Sequence, residues 1–215
     1  MPHHTLPVKP GLASLQWTYD CAIGETLSPF TLRRKAYDYG SSRLRAVCVT
    51  PPMSYDLGLR WQGMFAHLKM TGEPFEFGPG KLQDVNFPGI RRAPGNPVTW
   101  VAQSSGNVFQ CRGFDPDNPA TLSVGWLFAI QNVDGEEDLY MIRESVTGQE
   151  YLDGNGHRDA SANVKVFPAL RNTYAAGKWL HFIDPKGLFY VVNFPVFRYD
   201  TNRILQPLTF EVAQV

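Results

Sequence analysis

The sequence predicts a mainly β fold, a sandwich or barrel architecture with one flanking helix, and three observations carry that prediction. Apolar and polar residues alternate in about ten short stretches, each bounded by Gly, Pro, Asn or Asp, which is the signature of half-buried strands joined by turns. A single segment near residues 55–70 instead spaces its apolar residues at helical intervals. The 215 residues include 19 Gly and 17 Pro, and aromatics reach 13%, more than a disordered chain carries. A chain of this length buries roughly 70% of its unfolded surface, so it needs no disulfide or metal staple.

Leu15, Trp17, Tyr19 and Cys21 alternate with Gln16, Thr18 and Asp20, predicting the first strand. The same pattern predicts strands at 44–49, 75–77, 98–102, 108–114, 126–130, 139–142, 164–167, 188–194 and 208–212. Turns are explicit at Val133–Asp138 (VDGEED) and Asp153–Gly156 (DGNG), where Gly and Asn reach positive φ at little cost. Leu57, Trp61, Met64, Phe65 and Leu68 fill one face of a helix over 55–70. Ser54 or Asp56 would cap its first turn, and Gly72 would supply the left-handed residue after its end. Such a face, at about 1.5–3 kcal/mol per large buried side chain, would clasp the helix to a sheet.

A Gly- and Pro-rich stretch without periodicity spans 77–97 and reads as a linker, and a softer boundary falls at 172–177. These boundaries predict one domain built from residues 1–86 and 181–215, with an inserted small β-barrel over 87–180.

Charge and motifs exclude more chemistry than they suggest. Twenty Lys and Arg balance twenty Asp and Glu, so the chain lacks the basic footprint that autonomous nucleic-acid or anionic-membrane binding needs. No signal peptide is legible at the N-terminus, and the longest apolar run, 188–192, is far too short for a membrane helix. The chain is therefore expected to be made in a cytoplasm. Cys21, Cys48 and Cys111 are too sparse for a zinc site or disulfide framework and are expected to be buried thiols. The string Gly78–Lys81 (GPGK) fails as a phosphate loop, because Phe75 and Leu82 stand where Gly and Ser or Thr are required. The acidic loop 153–159 lacks calcium-loop spacing, and Asp134, Glu136, Glu137 and Asp138 read as a solvated hairpin tip. Five scattered histidines form no metal motif, with His67 on the polar side of the helix, and no nucleophile elbow exists. The expectation is a protein with no enzymatic role, no cofactor and no metal.

Two surface hypotheses remain. The segment 32–39 (LRRKAYDY) sets Arg33, Arg34 and Lys35 beside Tyr37 and Tyr39, a composition enriched in interfaces, in what reads as a connection between strands. Trp100, Trp126 and Trp179 could instead form a sugar platform, which would make the chain a carbohydrate-binding β-module contacting host surface glycans.

The order of several short motifs resembles the distal tail proteins of long, non-contractile bacteriophage tails. The strings are SPFT (28–31), PPM (51–53) directly before the Trp61/Phe65 helix, and GEPFEFGPG (72–80), followed by VGWLFAIQ, LYMIRESV, DGNGH, VKVFPALR, GLFYV and a terminal PLTFEV. Gly125-Trp126 stands where the family carries a Gly-Asp pair. The resemblance implies a belt-type β-sandwich or split barrel related to the tail-tube fold, plus an inserted barrel of OB-like or galectin-like type. It further implies a structural virion protein, assembled in the host cytoplasm and located at the tail tip. Its partners would be copies of itself in a ring, commonly six, together with the tail-tube protein and the tip or baseplate hub protein. Neither sequence-specific nucleic-acid binding nor membrane insertion is expected.

Overall fold

The structure, a computed structural model, describes residues 4–7, 10–27, 31, 34–80, 98–99, 106–114, 121–152 and 158–215. The chain is mainly β, with a single helix among the described residues. Its first half contains β1 (His4–Thr5), β2 (Ser14–Leu27), β3 (Arg34–Val49), β4 (Met53–Ser54), helix α1 (Tyr55–Thr71), β5 (Phe75–Phe77) and β6 (Val98–Thr99). Next come β7 (Val108–Phe114), β8 (Thr121–Leu122), β9 (Leu127–Gln131), β10 (Glu137–Ile142), β11 (Val146–Thr147), β12 (Gln149–Leu152) and β13 (Arg158–Phe167). The last strands are β14 (Leu180–His181), β15 (Gly187–Asn193), β16 (Ile204–Leu205) and β17 (Thr209–Gln214).

Two compact units divide the chain, each discontinuous in sequence: a terminal unit of Pro7–Glu73 with Tyr190–Val215, and a central unit of Met1–Leu6 with Pro74–Phe189. The sequence boundary at 86 lies outside the described residues, and residue 181 falls in β14, inside the central unit.

In the terminal unit β2 pairs with β3 antiparallel, from Ser14 opposite Val49 to Leu27 opposite Arg34. β17 pairs with the other edge of β3, from Thr209 opposite Val49 to Ala213 opposite Arg45. Residues directly opposite share a face. Leu44, Ala46, Cys48, Phe210 and Val212 therefore line one face, and all five are buried. Helix α1 covers it, with Trp61, Phe65 and Leu68 buried and Leu57 and Met64 half-buried beside them. The Phe65 ring stands edge-on to Phe210 with centroids 4.9 Å apart, and Trp61 lies 6.0 Å from the same ring. The expected C-terminal cap is present: Gly72 takes φ 68° and its N–H bonds the Leu68 carbonyl. The expected N-terminal cap is not formed by Ser54, which is extended at the N-cap position but makes no side-chain capping bond; Asp56 places a negative charge in the first turn.

The central unit is a seven-stranded antiparallel sheet in the order β14-β9-β10-β13-β7-β6, with β12 paired to the start of β13. Its core gathers Phe109, Phe128, Tyr140, Tyr174, Leu180 and Phe182 with smaller apolar residues, and Trp126 packs against it half-buried. β5 lies between β1, parallel to it, and the first residues of β15, antiparallel to it. Cys48 and Cys111 are buried as expected, whereas Cys21 is exposed, a correction explained by its place opposite Ser42, beyond the stretch of β3 that pairs with β17. Burial pushes the Cys48 and Cys111 thiols up to about 12, so neither supplies thiolate near neutral pH. A disulfide-exchange reagent should therefore titrate one thiol in the folded protein and three in denaturant, which a spectrophotometric thiol count will check.

Candidate functional site

The most unusual backbone feature is the length of the β2–β3 hairpin. β17 supports β3 only over Arg45–Val49, while β2 follows β3 down to Arg34. Residues 34–44 of β3 and 19–27 of β2 thus form a two-stranded arm with no third strand among the described residues. Nine residues at about 3.3 Å each give it a reach of roughly 30 Å. A register shift separates base from tip: Cys21 opposes Ser42 and Ile23 opposes Asp38, so 39–41 face the single residue 22. Gly40 within that bulge provides the backbone latitude a bulge requires.

The interface candidates fall on this arm. Arg33 lies outside the described residues. Arg34, Lys35, Tyr37 and Tyr39 are in strand β3, with Arg34 opposite Leu27, Lys35 opposite Thr26 and Tyr37 opposite Gly24. The expectation of a connection between strands over 32–39 is thus corrected for residues 34–39, which are strand. Strand alternation puts 35 and 37 at equivalent register positions, with 34 at the alternate one and 39 inside the bulge.

At the arm's base the sheet face away from the helix carries a charged network. Arg43 Nε donates to Asp20 Oδ2 at 2.9 Å, and Arg43 Nη1 also bonds the Tyr190 hydroxyl. Arg45 Nη1 reaches both Asp20 oxygens at 3.3 Å, and its Nη2 pairs with Glu211 Oε1 at 2.7 Å. Desolvation pushes the Asp20 carboxyl up, but the hydrogen bonds and charges of Arg43 and Arg45 outweigh it and hold the group below its usual range. The network sits half in solvent, where ion pairs add little stability, so its main effect is to fix the strands' relative orientation where the arm departs.

The tryptophan candidates separate. Trp100 lies outside the described residues, Trp126 packs half-buried on the central core, and Trp179 is 37% exposed just before β14. The acidic turn is exposed at Asp134 and Glu136, as a solvated tip is, but not at Asp138. Asn132 Oδ1 accepts the N–H groups of Asp134 and Glu136 at 2.9 and 3.0 Å, and Gly135 takes φ 90°. Asp138 turns inward, accepting Tyr174 Oη at 2.5 Å and Asn172 Nδ2 at 2.8 Å. Because a carboxylate only accepts, Tyr174 spends its proton there, and Tyr140, 2.5 Å away, must donate to Tyr174. Burial pushes the Tyr140 phenol up to about 12 and drives Tyr174 upward as well, with the neighbouring Asp138 charge adding to both, so the chain of donors stays protonated. Tyr174→Phe strips Tyr140 of its acceptor and Asp138 of a donor. It should destabilise the central unit by about 1–3 kcal/mol in chemical denaturation, the cost of orphaned buried polar groups.

No group of three or more His, Cys, Asp or Glu that could hold a metal occurs among the described residues, and the loop 153–157 lies outside them. His67 is exposed, 3.5 Å from Glu73, as its polar-face position predicts. No described helix is long and apolar enough to cross a membrane. Compared with known proteins, the chain matches no protein-family model and no curated protein.

Proposed function

We propose that this protein is a structural ring subunit at the distal end of a bacteriophage tail, joining the tail tube to the tip or baseplate hub. The observation that carries the reading is the β2–β3 arm. A two-stranded ribbon is marginal by itself in water, so an arm roughly 30 Å long is best accounted for by a surface that it lies against, and a neighbouring copy supplies one in a closed cyclic assembly. The Arg- and Tyr-containing residues 34–39 belong to the arm's tip side, where such a contact would be made. The order of the sequence motifs supports the same reading, and the virion is then the site of action, with assembly in the host cytoplasm.

Joint replacement of Arg33→Glu and Arg34→Glu tests it. Loss of about 1.5 kcal/mol at each contact lowers its equilibrium constant roughly tenfold, and a ring repeats that loss at every interface. Mass photometry and negative-stain microscopy should show rings for the unaltered protein and monomers for the double variant, with unchanged circular dichroism melts. Rings formed equally well by the variant would place the contact elsewhere, and an unaltered protein that stays monomeric alone and with tail-tube protein would remove the ring reading.

A further inference from the structure

An open groove of about 720 Å³ lies within the terminal unit, lined by residues of β3, β15 and β17 and of the segment between the last two. Its apolar surface comes from Val47, Val196 and Pro207, and Val196 is 69% exposed. Around it stand Asn193, Gln206 and Arg198, whose side chains make no hydrogen bond or ion pair among the described residues. One acid lines the groove, Glu211, and its charge is already met by Arg45 at 2.7 Å. The groove therefore offers one uncompensated positive charge, two free amides and an apolar strip.

We propose that this groove binds an extended peptide segment of a partner protein, with an aspartate or glutamate on Arg198 and an apolar neighbour on Val47 and Val196. The amides suit a main chain, since each both donates and accepts, and an arginine fork suits a carboxylate. Competing ligand classes fit less well. A nucleic-acid backbone or an anionic bilayer calls for several unpaired cations, and the described lining of the groove has one. A sugar calls for an open aromatic face, but the Phe194 ring at the groove is packed edge-on to Phe65 at 6.2 Å and has Lys69 Nζ 5.6 Å from its centre. The inference is independent of ring formation, because the groove is complete within one copy and its test uses a peptide.

Full-length protein with labelled valine methyls would be titrated with acetyl-Val-Asp-Val-amide and with acetyl-Val-Lys-Val-amide. The acidic peptide should shift the Val47 and Val196 methyl resonances saturably, and the basic one should not. Arg198→Glu should weaken the acidic peptide about tenfold, the scale of one charge-assisted contact, whereas Arg198→Lys should retain most of the binding. If Arg198→Glu disturbs resonances far from the groove, the Lys variant and the ionic-strength dependence decide instead, and added salt should weaken binding. Equal response to both peptides, salt-insensitive binding, acidic-peptide binding undiminished in a folded Arg198→Glu protein, or no shift of the two methyls up to the peptide's solubility limit would each overturn the proposal.

Discussion

Replacing Trp61 by alanine should destabilise the terminal unit by about 3–5 kcal/mol, the scale for truncating a buried aromatic. Trp61 is 1% exposed, sits at the centre of the buried stripe of α1, and touches both Phe65 within the helix and Phe210 on β17. Its indole N–H is buried and has no hydrogen-bond partner among the described residues. That orphan donor costs something in the native protein, and alanine removes it together with the ring, which pulls the expected loss toward the lower end of the range. Trp61→Phe separates the two contributions, because it keeps most of the apolar contact while deleting the orphan donor, and should cost less than half as much as alanine. Urea denaturation followed by circular dichroism measures both. Equal stabilities of alanine variant and unaltered protein would mean that the helix does not hold this sheet.

The parts of this fold legible in the sequence are those where one face meets a core and the other meets water. Strands 75–77 and 108–114 coincide with β5 and β7, and the helix predicted over 55–70 is observed at Tyr55–Thr71. The Leu15 to Cys21 alternation was readable because Leu15 and Trp17 share a face with Cys48 and Ala46, which the helix buries. Beyond Cys21 the same strand runs on to Leu27 without an alternating apolar pattern, because an arm with no third strand among the described residues has no core there to select one. Residues 34–39 therefore read as a connection from sequence, although their Arg and Tyr content is that of an interface. Two-residue strands such as β8, β14 and β16 cannot show a period of two at all. The inward turn of Asp138 is illegible for a different reason: its partners Asn172 and Tyr174 come from more than thirty residues away, and no local pattern reports so distant a carboxylate contact. Groove residues such as Val196 and Arg198 carried no signal, since each alone is an ordinary surface residue and only the fold brings them beside Val47.

Gly78→Ala should cost the central unit more than about 3 kcal/mol, above the usual range for overpacking, because the obstruction is backbone rather than a side chain that can swing away. A β-carbon on Gly78 would lie 2.0 Å from the carbonyl oxygen of Pro185 and 3.1 Å from the carbonyl carbon. Relief would require the turn before β15 to retreat, and that turn is constrained on both sides. Asp184 already occupies the left-handed region at φ 46°, which L residues adopt at some cost. Gly187, two residues beyond Pro185, packs so closely on β10 that a β-carbon there would stand 2.8 Å from Leu139 Cβ and 3.0 Å from its backbone nitrogen. The turn is thus held between β5 and β10 with no slack for a methyl group. Gly80 provides the control: it takes φ 56° but has no atom within 4 Å of its missing β-carbon, so Gly80→Ala meets only the left-handed backbone penalty of about 1–2 kcal/mol. Denaturant midpoints for the two variants should therefore fall in the order unaltered, Gly80→Ala, Gly78→Ala. A Gly78→Ala protein as stable as the Gly80→Ala protein would show that the Pro185 turn can move aside, and that close backbone approach is not what requires glycine at position 78.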